Sequence, residues 1–261
     1  MTTAANGERD AIGGAAVLSV AQLEDIMLNM SAPSQQMLYD GWLLRFSPHD
    51  IKRAQSVSAL YSTLPVEEKI VHTEEIYKRA GLAALFRISP LSQPSDLDQQ
   101  LELRGYRRIE TSSVQVASLE PPFGEKREDL RFEQEQMLQW LAHSSTLHSF
   151  DEASYASLRR RLEVAALPST YLTVWLGDMV AACGRIAVEG ETAGLLEVIT
   201  GQSVRGNGIG SALVAGLLEI AYEQGARRAW LAVLADNAPA QALYRNLGFR
   251  PVYEYWYRRR P

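Results

Sequence analysis

Ser203–Leu213 reads SVRGNGIGSAL: three glycines, Gly206, Gly208 and Gly210, stand round one arginine, Arg205, directly ahead of an apolar run. Past the turn, Val214, Leu217, Leu218, Ala221 and Tyr222 recur at helical spacing, with Glu219, Glu223 and Gln224 off that face and Gly225 as the stop. Ahead of it, GLLEVIT (194–200) reads as a strand. The spacing thus predicts a strand, a glycine turn and a helix. A helix N-terminus leaves four backbone N–H groups without intrahelical partners and carries about half a positive charge, so it attracts phosphate. Glycines let a phosphate come close where a Cβ would stand in its way, and Arg205 adds a cation with a donor fork. The plainer reading of the same residues is a glycine-rich connection with an incidental arginine.

Outward from the turn, WLAVLA (230–235) reads as a strand. A helix opened near Asn237 and Pro239 and closed by Gly248 follows, and then the alternating strand PVYEYWYRR (251–259). Upstream lie helices near 135–147 and 151–166 and strands YLTVWLG (171–177) and VAACGRIAV (180–188). EPPFGEKRED, Glu120–Asp129, breaks all periodicity with two prolines, a glycine and six charges, and reads as a linker. Before it, helices are expected over Val20–Met30, Pro65–Ala80 and Asp96–Arg104, and strands over Gly41–Ser47, Ala54–Leu60, Ala83–Ser89 and Tyr106–Leu119. Residues 1–16, small and polar, read as a disordered start. The expected domains are therefore 17–119 and 130–261, joined by 120–129, in an α/β layered architecture.

The two segments echo each other. IYKRAGLAALFRI (Ile76–Ile88) runs parallel to AYEQGARRAWLAV (Ala221–Val233) in element order, as LELRGYRR (Leu101–Arg108) does to LYRNLGFRP (Leu243–Pro251). Both echoes occur in the same order, which favours duplication over shared punctuation.

Composition narrows the function. A chain of 261 residues with 46% hydrophobic and 22% charged residues supports one large or two ordinary globular domains. A net charge of −5 gives no basic footprint for nucleic acid, and no stretch has the length of a membrane span. The single cysteine, Cys183, rules out an intrachain disulfide, and AAVLSV is too short for a signal peptide, so the expected location is cytoplasmic. Histidines 49, 72, 143 and 148 offer no metal-ligand spacing, so no metal is expected. Lys52, Lys69, Lys78 and Lys126 all precede the turn, which leaves the later part without a Schiff-base lysine or a P-loop GK pair.

The dinucleotide fingerprint fails as well, because Ser211 stands where its third glycine belongs. What remains is R-x-x-G-x-G at Arg205, Gly208 and Gly210, followed by N-x-x-A-x-x-L-Y-x-x-L-G-F, unbroken from Asn237 to Phe249. In this ordered pair of motifs the chain resembles the GNAT superfamily of acyl-CoA-dependent N-acyltransferases over about residues 126–261. The upstream half looks like a degenerate copy, since its main helix opens through YSTLPVEEK with no glycine and two early glutamates that would repel a pyrophosphate. The implied fold is therefore a GNAT fold, with two GNAT-like domains in tandem.

The resemblance implies acetyl-CoA as co-substrate, with its pyrophosphate on Arg205, Gly206, Asn207, Gly208, Ile209, Gly210 and Ser211. It also implies that the strand before the turn splays from its neighbour. Backbone groups of Val198, Ile199 and Thr200 would then pair with the pantetheine arm, and a backbone N–H of this strip would polarise the acetyl carbonyl. Asn237 is a helix cap that the resemblance makes a cofactor contact. Tyr244, otherwise a packing residue on an amphipathic helix, becomes the acid that protonates the departing thiolate.

An ammonium of pKa roughly 10 must lose a proton before attack near neutral pH. Glu197, a lone carboxylate in the apolar run LLEVIT, is the leading candidate base, with Glu191 and a bound water as the other readings, and pairing with an arginine as the structural one. Cys183 reads as a small buried hydrophobe rather than a nucleophile. The expected activity is direct acetyl transfer to a primary amine in a ternary complex, by a monomer or homodimer. The acceptor, a small-molecule amine or a protein N-terminus, stays open. The alternative is a binding module that senses acyl-CoA without turnover.

Overall fold

A computed structural model describes residues 18–49, 51–124 and 127–261. The start expected to be disordered, 1–16, lies outside the described residues, as do two positions of the expected linker. The upstream elements are α1 (Val20–Met30), β1 (Gln35–Tyr39), β2 (Trp42–Phe46), β3 (Val57–Ala59), α2 (Val66–Arg79), β4 (Leu85–Ile88), α3 (Leu97–Leu103) and β5 (Arg107–Ser118). Downstream come β6 (Leu130–Glu135), α4 (Met137–His148), α5 (Glu152–Glu163), β7 (Ser169–Leu176), β8 (Met179–Glu189) and β9 (Thr192–Thr200). The chain closes with α6 (Ile209–Glu223), β10 (Arg228–Leu234), α7 (Ala238–Asn246) and β11 (Arg250–Arg259). Two expectations shift: a 3-10 turn over Lys52–Gln55 replaces the first half of the strand read at 54–60, and the helix read from 135 begins two residues later, after β6.

All eleven strands form one mixed sheet, in the order β1-β2-β3-β4-β11-β5-β10-β9-β8-β7-β6. The succession α2–β4–α3–β5 repeats as α6–β10–α7–β11, in register with the two sequence echoes. The last strand of each series lies inside the other's half of the sheet: β11 runs between β4 and β5, and β5 runs between β10 and β11. Two halves of the same element order thus share one sheet by exchanging their closing strands.

Helices cover both faces. Leu172, Val174 and Ala182 pack with Leu213, Val214 and Leu217 of α6, while Cys183 and Tyr171, one position along, pack with Trp140 and Leu158 of α4 and α5. This alternation is the period of two expected of a strand. The α4 face also carries α1, whose Leu23, Met27 and Met30 join Ala187, Leu196, Trp230 and Tyr255 in one buried cluster. Each leucine and methionine of this cluster contributes roughly 1.5–3 kcal/mol on burial. Polar groups fix the docking of α1. A Ser19–Gln22 capping box opens it, Arg45 bonds its last carbonyls at Leu28 O (2.8 Å) and Ser31 O (2.9 Å), and Glu24 pairs with Arg87 of β4 at 2.5 Å.

Candidate active site

The turn that follows β9 has the geometry of an anion cradle. Gly201 N–H donates back to Ala181 O (2.8 Å), Gln202–Val204 make one 3-10 turn, and Arg205 through Gly208 stand exposed. Gly206 (φ +81°) and Gly208 (φ +75°) are left-handed, a conformation that costs other L-residues roughly 1–2 kcal/mol. Gly210 serves close approach instead: a Cβ there would lie 3.0 Å from Thr200 Oγ1 and 3.1 Å from Leu243 Cδ1. The first turn of α6 is thereby pressed against the end of β9 and against α7.

Ala212 N to Gly208 O (3.0 Å) is the first bond of α6, and no side chain caps it, so the N–H groups of Ile209, Gly210 and Ser211 lack intrahelical acceptors. Arg205 stands beside them with Nε on Thr200 O (3.2 Å). Arg127 reaches the turn from the other side, where Nη1 holds Asn207 O at 2.5 Å while Nε and Nη2 hold Asp129. Free backbone donors flanked by two guanidinium groups fit a diphosphate. Sequence reasoning missed Arg127, whose only signal was a charged run eighty residues upstream of the motif.

Ahead of the turn, β9 parts from β10. Their parallel pairing covers only Thr192–Gly194 against Arg228–Trp230, although β9 continues to Thr200 and β10 to Leu234. Residues 192–196 are buried and 197–200 only half-buried, so Val198, Ile199 and Thr200 lie on a strand edge that β10 does not cover. The far edge stays paired to β8, with Leu196 opposite Arg185 and Ile199 opposite Cys183. Two residues of β9, Glu197 and Val198, therefore face the single Gly184, and Glu197 takes φ +47° in this bulge.

Glu197 sits between two arginines. Its Oε1 accepts from Arg161 Nη2 of α5 at 2.8 Å, its Oε2 accepts from Arg185 Nε, and Arg185 Nη1 goes on to Ser169 Oγ at 2.8 Å. The carboxylate is 10% exposed and both guanidinium groups 2%. Burial raises its pKa, but the charges and hydrogen bonds of Arg185 and Arg161 outweigh burial and push it down to about 2. Such a group is ionised at neutral pH and a poor proton acceptor, the reverse of what a base needs. Glu191 lies nine residues from Thr200 at the other end of β9, roughly 30 Å away, where it pairs with Arg228.

Tyr244 lies on α7 next to Leu243, the residue that touches Gly210, and so stands beside the cradle. Its ring meets Phe249 edge-on at 5.8 Å, and burial pushes its pKa up to about 12. Among the described residues its hydroxyl has no hydrogen-bond partner, which leaves a proton donor uncommitted. Asn237 caps α7, with Oδ1 accepting from Ala240 N at 3.2 Å. Cys183 is fully buried and its thiol is raised to about 12 by burial, which makes it inert at neutral pH.

Comparison with known proteins agrees with this geometry. Residues 133–249 match the acetyltransferase (GNAT) family, from within β6 to Phe249. Over 221 residues the chain is 28% identical to the uncharacterized N-acetyltransferase YobR of Bacillus subtilis, covering 83% of this chain and 89% of that one. A GCN5-related N-acetyltransferase from Kribbella flavida superposes with a TM-score of 0.69 at 13% identity, over 91% of this chain and 93% of that one. A tandem GNAT protein from the clavulanic acid biosynthesis pathway superposes at 0.59 and 15% identity, over 73% of this chain and 68% of that one.

Proposed function

In a chain that belongs to the GNAT superfamily of acetyltransferases, we propose that the parted edge of β9 and the cradle on α6 hold acetyl-CoA, whose acetyl group passes directly to a primary amine. The observation that carries this reading is the departure of β9 from β10 immediately before a helix N-terminus lined with unspent donors. Acetyl-CoA supplies the acetyl group as a thioester. The cradle, Arg205 through Ser211 with Arg127, takes the diphosphate. Val198, Ile199 and Thr200 offer backbone groups to the amide-bearing arm, with Asn237 as a further contact. An N–H on that edge stabilises negative charge developing on the carbonyl oxygen. Tyr244, protonated up to about pH 12, gives its proton to the leaving thiolate. Amine and thioester meet in one ternary complex, a reading that the burial of the one cysteine supports by removing a thiol acyl carrier.

We place this site in a domain of residues 130–261, with 17–119 as its support and 120–129 as the linker. The upstream half holds no second site in this reading. At the equivalent helix opening, the Asp40 carboxylate already accepts from the N–H groups of Thr63 and Leu64, both at 2.9 Å, and pairs with buried Lys69 at 2.9 Å. A carboxylate of the protein therefore stands just ahead of this helix, where its charge would repel a phosphate.

The test is thiol release from acetyl-CoA across a panel of amines, with Tyr244→Phe alongside. Removing the hydroxyl keeps the ring on Phe249, so turnover should fall by roughly 10² or more with acetyl-CoA affinity little changed. Calorimetric titration should give one site per chain. Binding without thiol release from any amine would favour the acyl-CoA-sensing alternative. Unchanged turnover in Tyr244→Phe would make that residue structural.

A further inference from the structure

We propose that His148 accepts the proton that the acceptor amine must lose before it attacks, an inference that rests on the transferase reading above. With Glu197 locked between arginines, that reading leaves the proton without a destination. His148 is the last residue of α4. Leu147, next to it, reaches within 3.4 Å of where a Cβ on Gly201 would stand, and Ile199 packs into the cluster that holds Leu147 and Phe150. The end of α4 therefore lies over the part of β9 that β10 leaves uncovered. It lies on the face opposite α6, across the sheet from the cradle.

The ring is prepared for this role. It stacks flat on Phe150, with centroids 4.7 Å apart and planes 2° from parallel, which fixes its orientation. Nε2 is buried without a hydrogen-bond partner and the residue as a whole is half-buried, so that nitrogen is committed to no other group. Glu197 on β9, Arg161 on α5 and Arg185 on β8 are the charges around this corner, with Tyr171 on β7 and Cys183 on β8 as neutral titratable neighbours. Burial lowers the imidazole below its ordinary 6.5 and the Glu197 charge offsets only part of that. The ring is therefore neutral at pH 7, with one nitrogen lone pair free.

No other histidine is so placed. His143 is tied to Glu135 at 3.1 Å, His72 lies against Tyr39 in the upstream half, and His49 is exposed on the loop before the 3-10 turn.

The protons balance. The acceptor's ammonium gives one proton to His148, directly or across one water, and the free amine nitrogen bonds to the acetyl carbon. The carbon–sulfur bond breaks and the thiolate takes the Tyr244 proton. The second N–H proton, shed as the amide forms, restores the tyrosine, and His148 returns its own to solvent.

The experiment compares the full chain with His148→Gln on two amines of similar size. One has an ordinary pKa of roughly 10, and the other is a fluorinated amine already free at pH 7. With the ordinary amine, kcat/KM at pH 7 should fall about 10²-fold, and the deficit should shrink about tenfold per pH unit as pH rises. With the fluorinated amine the loss should stay below about tenfold, because no base is needed. A structural role would lower both amines equally. Equal loss, or no loss, overturns the proposal. NMR titration gives a readout apart from turnover: the imidazole signal that disappears in His148→Gln should titrate below 6.5 in the parent, and the kcat/KM profile of the parent with the ordinary amine should fall off at that same midpoint; a profile that does not follow it overturns the proposal. A parent that binds acetyl-CoA yet releases no thiol with any amine refutes the transferase reading, and the base assignment falls with it.

Discussion

Glu197→Gln separates an ion-pair role from a base role. The substitution keeps the side chain's shape and one acceptor oxygen but removes the charge between Arg161 and Arg185, leaving two guanidinium groups 2% exposed with no carboxylate between them. Removing one partner of a buried pair costs about 3–5 kcal/mol. The depression of the carboxyl from 4.5 to about 2 gives a second route to the magnitude, about 3 kcal/mol at 1.36 kcal/mol per pH unit. The side chain is nearly buried, so solvent screening subtracts little. About 3 kcal/mol at pH 7 corresponds to a fall in melting temperature on the order of 6–12 °C for a chain of this size. The pH dependence fixes the sign. A carboxyl whose folded pKa is depressed contributes fully above its unfolded value near 4.5, and the contribution is lost as pH falls toward 2. Denaturation of both proteins should therefore show a wide gap at pH 7 that narrows below 4.5. A gap under about 1 kcal/mol at pH 7, or one that persists undiminished at low pH, would refute the ion-pair reasoning. Its loss of activity should not depend on pH, whereas a loss that disappears at high pH without a loss of stability would return Glu197 to the base role.

Gly208→Val forces a β-branched residue to φ +75° at the mouth of the cradle, with its Cβ 3.4 Å from Arg127 Nη1. Calorimetry should show acetyl-CoA affinity falling by about tenfold or more, with stability lowered by only the roughly 1–2 kcal/mol of backbone strain. Unchanged affinity would remove the turn from the site. A chain beginning at Arg127 lacks β5, which pairs with β10 over Arg228–Leu234 and with β11 over Arg250–Arg259. It should self-associate or fail to fold when followed by light scattering and circular dichroism, because both strand edges are left bare. A monomeric, stable and active product would show that strand exchange is dispensable.

Much of the architecture was legible from local pattern. The α1 range coincides with its sequence reading because Ser19 and Gln22 cap an apolar stripe, and α6 follows from glycines whose left-handed angles the chain demands at that point. The edge strands β1 and β6 escaped notice. Each is paired on one side, and β1 buries no residue while β6 buries only Leu130, so hydrogen bonds to a single neighbour hold it rather than a buried face that would imprint alternation on the sequence.

The site divides along the same line. The turn and the edge at Val198–Thr200 lie in contiguous stretches whose conformation is a matter of backbone, so the left-handed glycines and the strand ahead of them can be read along the chain. Arg127 at the cradle, Arg161 and Arg185 on Glu197, His148 over β9 and the interleaving of β5 with β11 all depend on segments brought together from 12 to about 150 positions away. A carboxylate in an apolar strand announces that it must be paired or used, but which of the two holds depends on the charge that arrives across the fold. Spacing along a chain carries no information about that neighbour, because the energy of a buried charge is set by distance and burial in space.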